Sequence, residues 1–326
     1  MSFTFKPATR ENLALLIGLA GPTGSGKSYT AMELASGLAG ERKWCVIDTE
    51  AGRAKHYADR FTFDHGDLRP PFRPKAYEDA IMAADAAGYA VIVVDSASHE
   101  HAGEGGILEM QEAELDRMAG DDWKKREACK MAAWIKPKTE HKHFVQKLLQ
   151  FRAHLILCFR AEEKIEMVRE NGKMVIKPKQ TLIGADGFVP ICEKNLPYEL
   201  TLSLLLKADR PGFPHPIKLQ EQHKAMIPLD RPIGRSTGEA LAKWAGGETP
   251  AAPTATLNPL LKDVLDAIEA STTQGELQSV AKQAAALPDN ERTAARDVFK
   301  IRKKKIDDEK ALADAALEAE RTSGEQ

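Results

Sequence analysis

A short apolar segment that runs directly into a glycine-rich turn constrains the fold of this chain most strongly. Residues 13–19 contain no polar side chain, and the sequence GPTGSGKS follows at residues 21–28. Fully apolar runs are typical of strands that are covered on both faces of a parallel sheet. Residues 27–38 have helical composition, so we predict a strand, a tight turn and a helix here.

Further apolar runs at residues 44–47, 90–94 and 155–159 alternate with helical segments. Helices are predicted over residues 77–87 and over residues 109–150, the latter interrupted at Gly120 and Pro137. This alternation predicts an α/β fold with a mainly parallel sheet. Later in the chain, residues 164–168 and 173–177 flank Asn171-Gly172, which predicts a β-hairpin, and residues 198–207 are also β-rich.

The composition changes near residue 246. Residues 246–257 are small and proline-rich without periodicity, which predicts a flexible linker. Residues 258–326 then show apolar positions at helical spacing, and Thr273 precedes Glu276 as in a capping box. We therefore predict a core domain over residues 1–245, the linker, and a small helical interaction module over residues 258–326.

The charge and cysteine content exclude several classes of protein. The chain has 46 Lys and Arg against 48 Asp and Glu, so its net charge of −2 predicts no general attraction to nucleic acid or to an anionic membrane. A polyanion would have to bind a local patch. The cysteines are widely spaced and form no CxxC pair, which argues against a zinc site or a disulfide framework and favours a reducing cytosol. No apolar run is long enough to span a bilayer, so we expect no membrane partner.

The glycine-rich turn satisfies the GxxxxGK[ST] phosphate-loop pattern. Glycines let backbone N–H groups point at a phosphate, and the start of the following helix adds partial positive charge. Lys27 is expected to reach the β- and γ-phosphates of ATP, and Ser28 to bind Mg²⁺. The alternative is a turn without a ligand. The predicted nucleotide-binding residues are Gly21, Pro22, Thr23, Gly24, Ser25, Gly26, Lys27, Ser28 and Tyr29.

Two carboxylates follow predicted strands. Asp95 ends the run at residues 90–94 and suits the Mg²⁺ shell, although many buried strands end in Asp. Hydrolysis also needs a group that orients or deprotonates water. In AAA+-type ATPases a glutamate directly follows this aspartate, but here the next residue is Ser96. Glu50 is our candidate base, expected at the tip of a strand next to the phosphate loop; a solvated loop acid is the alternative, and the lesser rivals are Glu78, Glu100 and Glu104.

The order of GPTGSGKS, CVIDTEAG and VIVVDS resembles the RecA-type core ATPases. The likeness covers about residues 10–245 and is greatest to small RecA-like ATPases of bacteriophages that act beside single-strand annealing and single-strand binding proteins. It implies a RecA-like P-loop core and a ring or filament of identical subunits. It also implies a single-strand annealing or single-strand binding protein as partner, and a location in the cytosol of a bacterium or of a phage-infected host.

The resemblance also assigns residues. It places Glu50 on the catalytic glutamate and Arg160 near the residue that senses the γ-phosphate, where RecA-type enzymes have an amide. The predicted catalytic residues are therefore Lys27, Glu50, Asp95 and Arg160. Lys218 or Lys224 would be the basic finger that an adjacent subunit supplies, with solvated lysines as the alternative.

The long insert before residue 155 contains a basic, aromatic segment. Residues 123–143 hold seven Lys and Arg with two tryptophans, and only Glu127 and Glu140 oppose them within the segment. Single-stranded DNA is typically bound by Lys and Arg side chains that contact phosphates and by Trp rings on which bases stack. The alternative is a solvated helix face whose tryptophans belong to the core. The candidate DNA contacts are Trp123, Lys124, Lys125, Arg126, Lys130, Trp134 and the Asn171-Gly172 hairpin.

Together these patterns predict a Mg²⁺-dependent, DNA-stimulated ATPase that binds single-stranded DNA and assists phage-type recombination or annealing. Two alternatives stay open. One is a nucleotide-gated helicase loader or protein-remodelling ATPase, whose C-terminal module recruits its partner. The other is a small-molecule kinase with the insert as a lid over the acceptor.

Overall fold

A computed structural model describes residues 5, 8–10, 13–170, 173–178, 187–247 and 259–287, with residues 292, 295–296, 298–300, 302–303 and 305–307. The chain divides into two compact units, residues 1–250 and 251–326. The division falls in the segment predicted to be a linker, of which residues 248–257 lie outside the described residues.

The described part of the first unit alternates strands with helices. Its strands are β1 (Leu16–Gly21), β2 (Trp44–Asp48), β3 (Asp64–Asp67), β4 (Val91–Asp95), β5 (His154–Glu163), β6 (Ile165–Glu170), β7 (Lys173–Pro178), β8 (Phe188–Pro190), β9 (Leu202–Leu206) and β10 (Pro214–Lys218). Its helices are α1 (Lys27–Ala39), α2 (Pro74–Ala86), α3 (Ser98–Ala102), α4 (Ile107–Ala119), α5 (Trp123–Cys129), α6 (Ile135–Leu148), α7 (Leu196–Glu199), α8 (Glu221–Lys224) and α9 (Arg235–Ala245). Short 3-10 helices span Arg53–Tyr57 and Ala132–Trp134.

Eight strands form one sheet in the order β10-β9-β1-β5-β4-β2-β3, with β8 paired to β5. The pairs from β9 to β3 are parallel, whereas β10 and β8 pair antiparallel. The predicted α/β fold with a mainly parallel sheet is confirmed. The sequence did not single out β3, β8 or β10, which lack long apolar runs. β3 and β10 lie at the two edges of the sheet, and β8 pairs only with the last residues of β5.

Side chains of the central strands alternate between two hydrophobic cores. Along β4, Val91 and Val93 pack on the face covered by α1 and α9, whereas Ile92 and Val94 pack on the face covered by α2 and α6. Both faces are buried, which explains why these strands are apolar at every position.

One local prediction is wrong. Pro137 does not interrupt a helix: it is the third residue of α6, where a backbone N–H has no partner within the helix in any case. Within residues 198–207, predicted to be β-rich, Leu202–Leu206 form β9, while α7 ends at Glu199. Gly120 does end a helix, with the positive φ of 55° that glycine tolerates best.

The predicted hairpin is present as β6 and β7, which pair antiparallel with Glu170 opposite Lys173. Asn171 and Gly172 lie outside the described residues. In the second unit, α10 (Pro259–Ala270) and α11 (Gln274–Ala284) share an apolar core, and the Thr273–Glu276 capping box starts α11 as predicted. No helix in the described part of the chain is long and apolar enough to cross a membrane.

Candidate active site

The glycines of the loop between β1 and α1 are required by its geometry. Gly24 and Gly26 have φ angles of 82° and 76°, in the left-handed region that favours glycine. A Cβ at Gly21 would lie 2.4 Å from the Ser25 hydroxyl oxygen and 2.6 Å from the Leu206 carbonyl oxygen. Larger residues would therefore open the turn.

This loop borders a cleft of about 980 Å³ at the ends of β1 and β5. The first helical residue of α1 is Lys27, and no side chain caps the helix at Gly26. The backbone N–H groups at this end are therefore available to an anion. The cleft is lined by the loop residues 21–28 together with Glu50, Arg53, Tyr57, Arg160, Ala161 and Ile191.

Asp95 lies at the end of β4, beside Lys27 and Ser28. It is buried, and its Oδ1 atom has no hydrogen-bond partner among the described residues. Burial raises the pKa of Asp95, while the Lys27 ammonium and the Ser28 hydroxyl oppose that rise. An unpaired buried carboxylate oxygen next to a hydroxyl fits a Mg²⁺ ion that also takes nucleotide oxygens as ligands. Among the described residues, no cluster of three or more His, Cys, Asp or Glu side chains could hold a metal ion alone.

The strand that precedes Glu50 is not next to the phosphate loop, contrary to expectation, because β5 and β4 lie between β1 and β2. Glu50 reaches the cleft through the loop that follows β2. The buried Asp48 carboxylate accepts hydrogen bonds from the backbone N–H groups of Glu50 (2.6 Å) and Ala54 (2.8 Å). Ala51 and Gly52, between them, have positive φ angles of 58° and 86°.

Glu50 meets Arg160 across the cleft. Oε1 of Glu50 accepts hydrogen bonds from Nη2 (2.6 Å) and Nε (3.1 Å) of Arg160, and Oε2 accepts one from Nη1 of Arg53 (2.9 Å). Burial alone would raise the pKa of Glu50, but the two guanidinium groups outweigh it and hold the pKa below its ordinary value. The carboxylate is therefore ionised and able to accept a proton at neutral pH.

Residues after β4 brace this arrangement. The Ser98 hydroxyl accepts a hydrogen bond from the Arg160 backbone N–H (2.9 Å). The Thr49 hydroxyl accepts one from the Ser96 N–H (2.8 Å) and lies 2.8 Å from Nδ1 of His99. Sequence reasoning missed these residues, together with Asp48 and Arg53. Only Asp48 carried a signal, as a second acid beside Glu50 at the end of an apolar run.

The structure places the remaining predicted residues elsewhere. Tyr29 does not line the cleft: its hydroxyl donates to Glu33 (2.7 Å), and its ring contacts Tyr57 and Phe61. The rival bases Glu78, Glu100 and Glu104 do not line it either.

The two finger lysines also have local partners. Lys218 donates to the carbonyl oxygens of Tyr198 (2.5 Å) and Leu200 (2.6 Å), and Lys224 pairs with Glu221 (2.6 Å). Both contacts fit a structural role within the subunit.

The basic segment of the insert is more evenly charged than its sequence indicated. Arg126 pairs with Glu112 and Asp116 of α4, and Lys136 pairs with Glu114 (2.8 Å). These acids precede the segment in the chain, so a count within the segment omits them. Lys130 pairs with Glu127 (3.3 Å). The side chain of Trp123 is 68% exposed, while Trp134 is half-buried with the Lys138 ammonium 5.6 Å from its ring centroid.

Comparison with known proteins agrees with the geometry of the loop and cleft. A family model described as an AAA domain matches residues 14–186, which is more than half of the 326-residue chain. The matched region contains the phosphate loop, Glu50, Asp95 and Arg160. A search of curated proteins gives no match. The chain belongs to the AAA-domain family of P-loop ATPases.

Proposed function

We propose that this ATPase uses Mg²⁺ to hydrolyse ATP in the cleft beside the phosphate loop, that single-stranded DNA stimulates the reaction, and that the protein assists phage-type recombination or annealing. One observation carries the catalytic part: Lys27, Glu50 and Arg160, from three separate segments of the chain, converge on one cleft. Uncapped N–H groups at the start of α1 face the same space.

Each residue has a defined task in this proposal. Lys27 and the loop N–H groups bind the phosphates, and Arg160 contacts the γ-phosphate. Ser28 and Asp95 would hold Mg²⁺, which neutralises phosphate charge when bound. A water oxygen attacks the γ-phosphorus, the bond from that phosphorus to the β–γ bridging oxygen breaks, and Glu50 accepts the proton that the water loses.

The catalytic part is tested by two variants. Lys27→Ala should weaken MgATP binding, because it removes the ammonium group beside the loop. Glu50→Gln should bind MgATP yet hydrolyse it at least about a hundredfold more slowly, because the amide cannot take the proton. Lys43→Ala and Glu41→Gln, both at exposed sites away from the cleft, are matched controls. Normal turnover by Glu50→Gln would contradict the assignment of the base.

The DNA part is supported by the surface of the insert. Trp123 presents an exposed ring at the start of α5, and the Lys124 ammonium lies 5.9 Å from its centroid. Lys125 is also exposed, whereas Arg126 is held by acids of α4 and is the weaker candidate. The β6–β7 hairpin adds the exposed Arg169. Aromatic rings on which bases stack, together with Lys and Arg side chains that contact phosphates, bind single strands of any sequence.

Steady-state ATP hydrolysis with and without single-stranded DNA tests this part. The rate should rise with DNA at low salt, and the rise should shrink as salt increases. The double variant Trp123→Ala/Lys124→Ala should keep the basal rate and lose most of the stimulation. Tyr198→Ala/Lys194→Ala, which changes an exposed tyrosine and an exposed lysine outside the insert, is the matched control. A rate that DNA does not change at low salt would contradict the proposal.

A protein-remodelling or loader ATPase is the second candidate. It is favoured by two apolar residues that follow Trp123 in the same insert, since Met131 and Ile135 are 81% and 67% exposed. Exposed apolar groups of this size are common at protein–protein interfaces. In that case Met131→Ser/Ile135→Ser should abolish stimulation by a protein partner, while DNA has no effect on the ATPase rate.

A further inference from the structure

Arg53 occupies the side of Glu50 opposite Arg160. Its Nη1 atom donates to Oε2 of Glu50 at 2.9 Å, while Arg160 binds Oε1. Both oxygens of the candidate base therefore accept hydrogen bonds from guanidinium groups. No sequence motif marks Arg53, and we assigned it no role from the sequence.

The backbone holds Arg53 in a fixed place relative to Glu50. The Asp48 carboxylate binds the N–H groups of Glu50 and Ala54, on either side of Arg53, and Asp48 is only 1% exposed. His65 contacts the same carboxylate, with Nε2 3.2 Å from Oδ2. The 3-10 helix Arg53–Tyr57 starts at this point. The base and the arginine thus share one buried anchor.

The Arg53 side chain faces the cleft. It lines that space together with the phosphate loop and Arg160, and it is 65% exposed. Hydrogen bonding to Glu50 raises the pKa of Arg53, and the Asp95 carboxylate contributes to the rise. The Arg53 guanidinium binds only one oxygen of Glu50, so it can move from that oxygen to a phosphate without unfolding any helix or strand.

We propose that Arg53 is a second arginine for the γ-phosphate, supplied by the same subunit, and that it exchanges between Glu50 and the nucleotide. The γ-phosphate of ATP offers three oxygens and more negative charge than one carboxylate, so it competes for the guanidinium group. A carboxylate that loses one such partner becomes a stronger base. Arg53 would thereby bind the transferred group and release Glu50 for water in one movement. This inference rests on the proposed ATP hydrolysis in the same cleft.

The test compares Arg53→Ala and Arg53→Lys with wild type and with Arg69→Ala. Arg69 is the matched control, because it is exposed and pairs with Asp67 at 2.6 Å but does not line the cleft. Dissociation constants for MgATP and MgADP, single-turnover hydrolysis and the pH–rate profile are measured on the full chain. A melting temperature close to that of Arg69→Ala shows that each variant is folded.

If Arg53 contacts the γ-phosphate, Arg53→Ala should weaken MgATP binding about tenfold and leave MgADP binding within about twofold. Single-turnover hydrolysis should slow at least about tenfold, with Arg53→Lys intermediate. Removing a positive charge beside Glu50 raises the pKa of its carboxyl group, so the acid limb of the pH–rate profile should move to higher pH. A merely structural arginine would not change the preference for ATP over ADP.

The possible failures can be told apart. If Arg53→Ala leaves the preference for MgATP over MgADP unchanged, the role of Arg53 is overturned, whether or not the acid limb moves. Wild-type turnover would still support the proposed function in that case. If wild type itself neither binds nor hydrolyses ATP, the proposed function fails, and the inference about Arg53 fails with it.

Discussion

Acidification should destabilise the core through His154, which begins β5 in the centre of the sheet. Its imidazole is buried, and Nδ1 accepts a hydrogen bond from the Leu15 backbone N–H at 3.1 Å. That contact requires the neutral ring, because a proton on Nδ1 would remove the acceptor. Burial, assisted by the positive charge of Arg42, lowers the pKa of His154 to about 4 from an ordinary value near 6.5.

The size of the effect follows from this difference in pKa. Because the folded state holds the lower pKa, the contribution of His154 to stability is complete above pH 6.5 and is lost as the pH falls toward 4. The whole difference corresponds to about 3 kcal/mol of unfolding free energy, of which about 2 kcal/mol is lost by pH 5.

The assay is urea unfolding at pH 7.5, 6 and 5, followed by tryptophan fluorescence. The signal reports the first unit alone, since its sequence contains all four tryptophans. His154→Gln is the comparison, because its side-chain oxygen can accept from Leu15 and does not titrate. Burial also lowers the pKa of His99, His101 and His223, but these are present in both proteins and cancel in the difference. A difference in stability between the two proteins that stays constant from pH 7.5 to 5 would refute the reasoning.

Other perturbations have equally definite signs. Gly238→Ala should destabilise the first unit by about 1–3 kcal/mol in urea unfolding, since the new Cβ would lie 2.3 Å from a carbonyl oxygen of α1; higher stability would contradict this. Asp48→Asn should lower the free energy of unfolding by about 1–3 kcal/mol and slow ATP turnover. The two carboxylate oxygens accept from the N–H groups of Glu50 and Ala54, and the amide of Asn has only one oxygen, so its NH₂ group would face one of these donors. An unchanged rate would argue against that anchor. His141 and Glu100 form a buried pair, so His141→Gln should lower the free energy of unfolding more at pH 6 than at pH 9. Burial lowers the pKa of His141, but Glu100 outweighs this and raises that pKa, so the stability that the pair provides is lost as the pH rises. An equal loss of stability at both pH values would count against the pair.

The phosphate loop could be predicted because its constraints are local. Gly24 and Gly26 need left-handed backbone angles, and Lys27 and Ser28 follow at fixed spacing, so the sequence pattern and the chemistry coincide. The central strands could be predicted for a similar reason, since burial on both faces requires an apolar side chain at every position. The short edge strands meet no such demand and left no clear pattern.

The charge of the basic insert shows where sequence reasoning fails. Within residues 123–143 only two acids oppose seven basic residues, yet Arg126 and Lys136 are neutralised by Glu112, Asp116 and Glu114 of the preceding helix. Lys218 likewise finds backbone carbonyl oxygens near α7. Such partners are chosen by packing between elements, and composition within one segment cannot show them.

Glycine conformation and strand burial act over a few neighbouring residues, so the α/β fold and the phosphate-binding loop could be predicted from the amino-acid sequence. The rest of the site depends on how the strands and loops pack together. The order of strands places β5 between β1 and β4, so Arg160 arrives opposite Glu50, and the loop anchored on Asp48 brings Arg53 to the other side. Strand order and side-chain pairing depend on residues far apart in the chain, and their free energies are settled only when the whole sheet has packed.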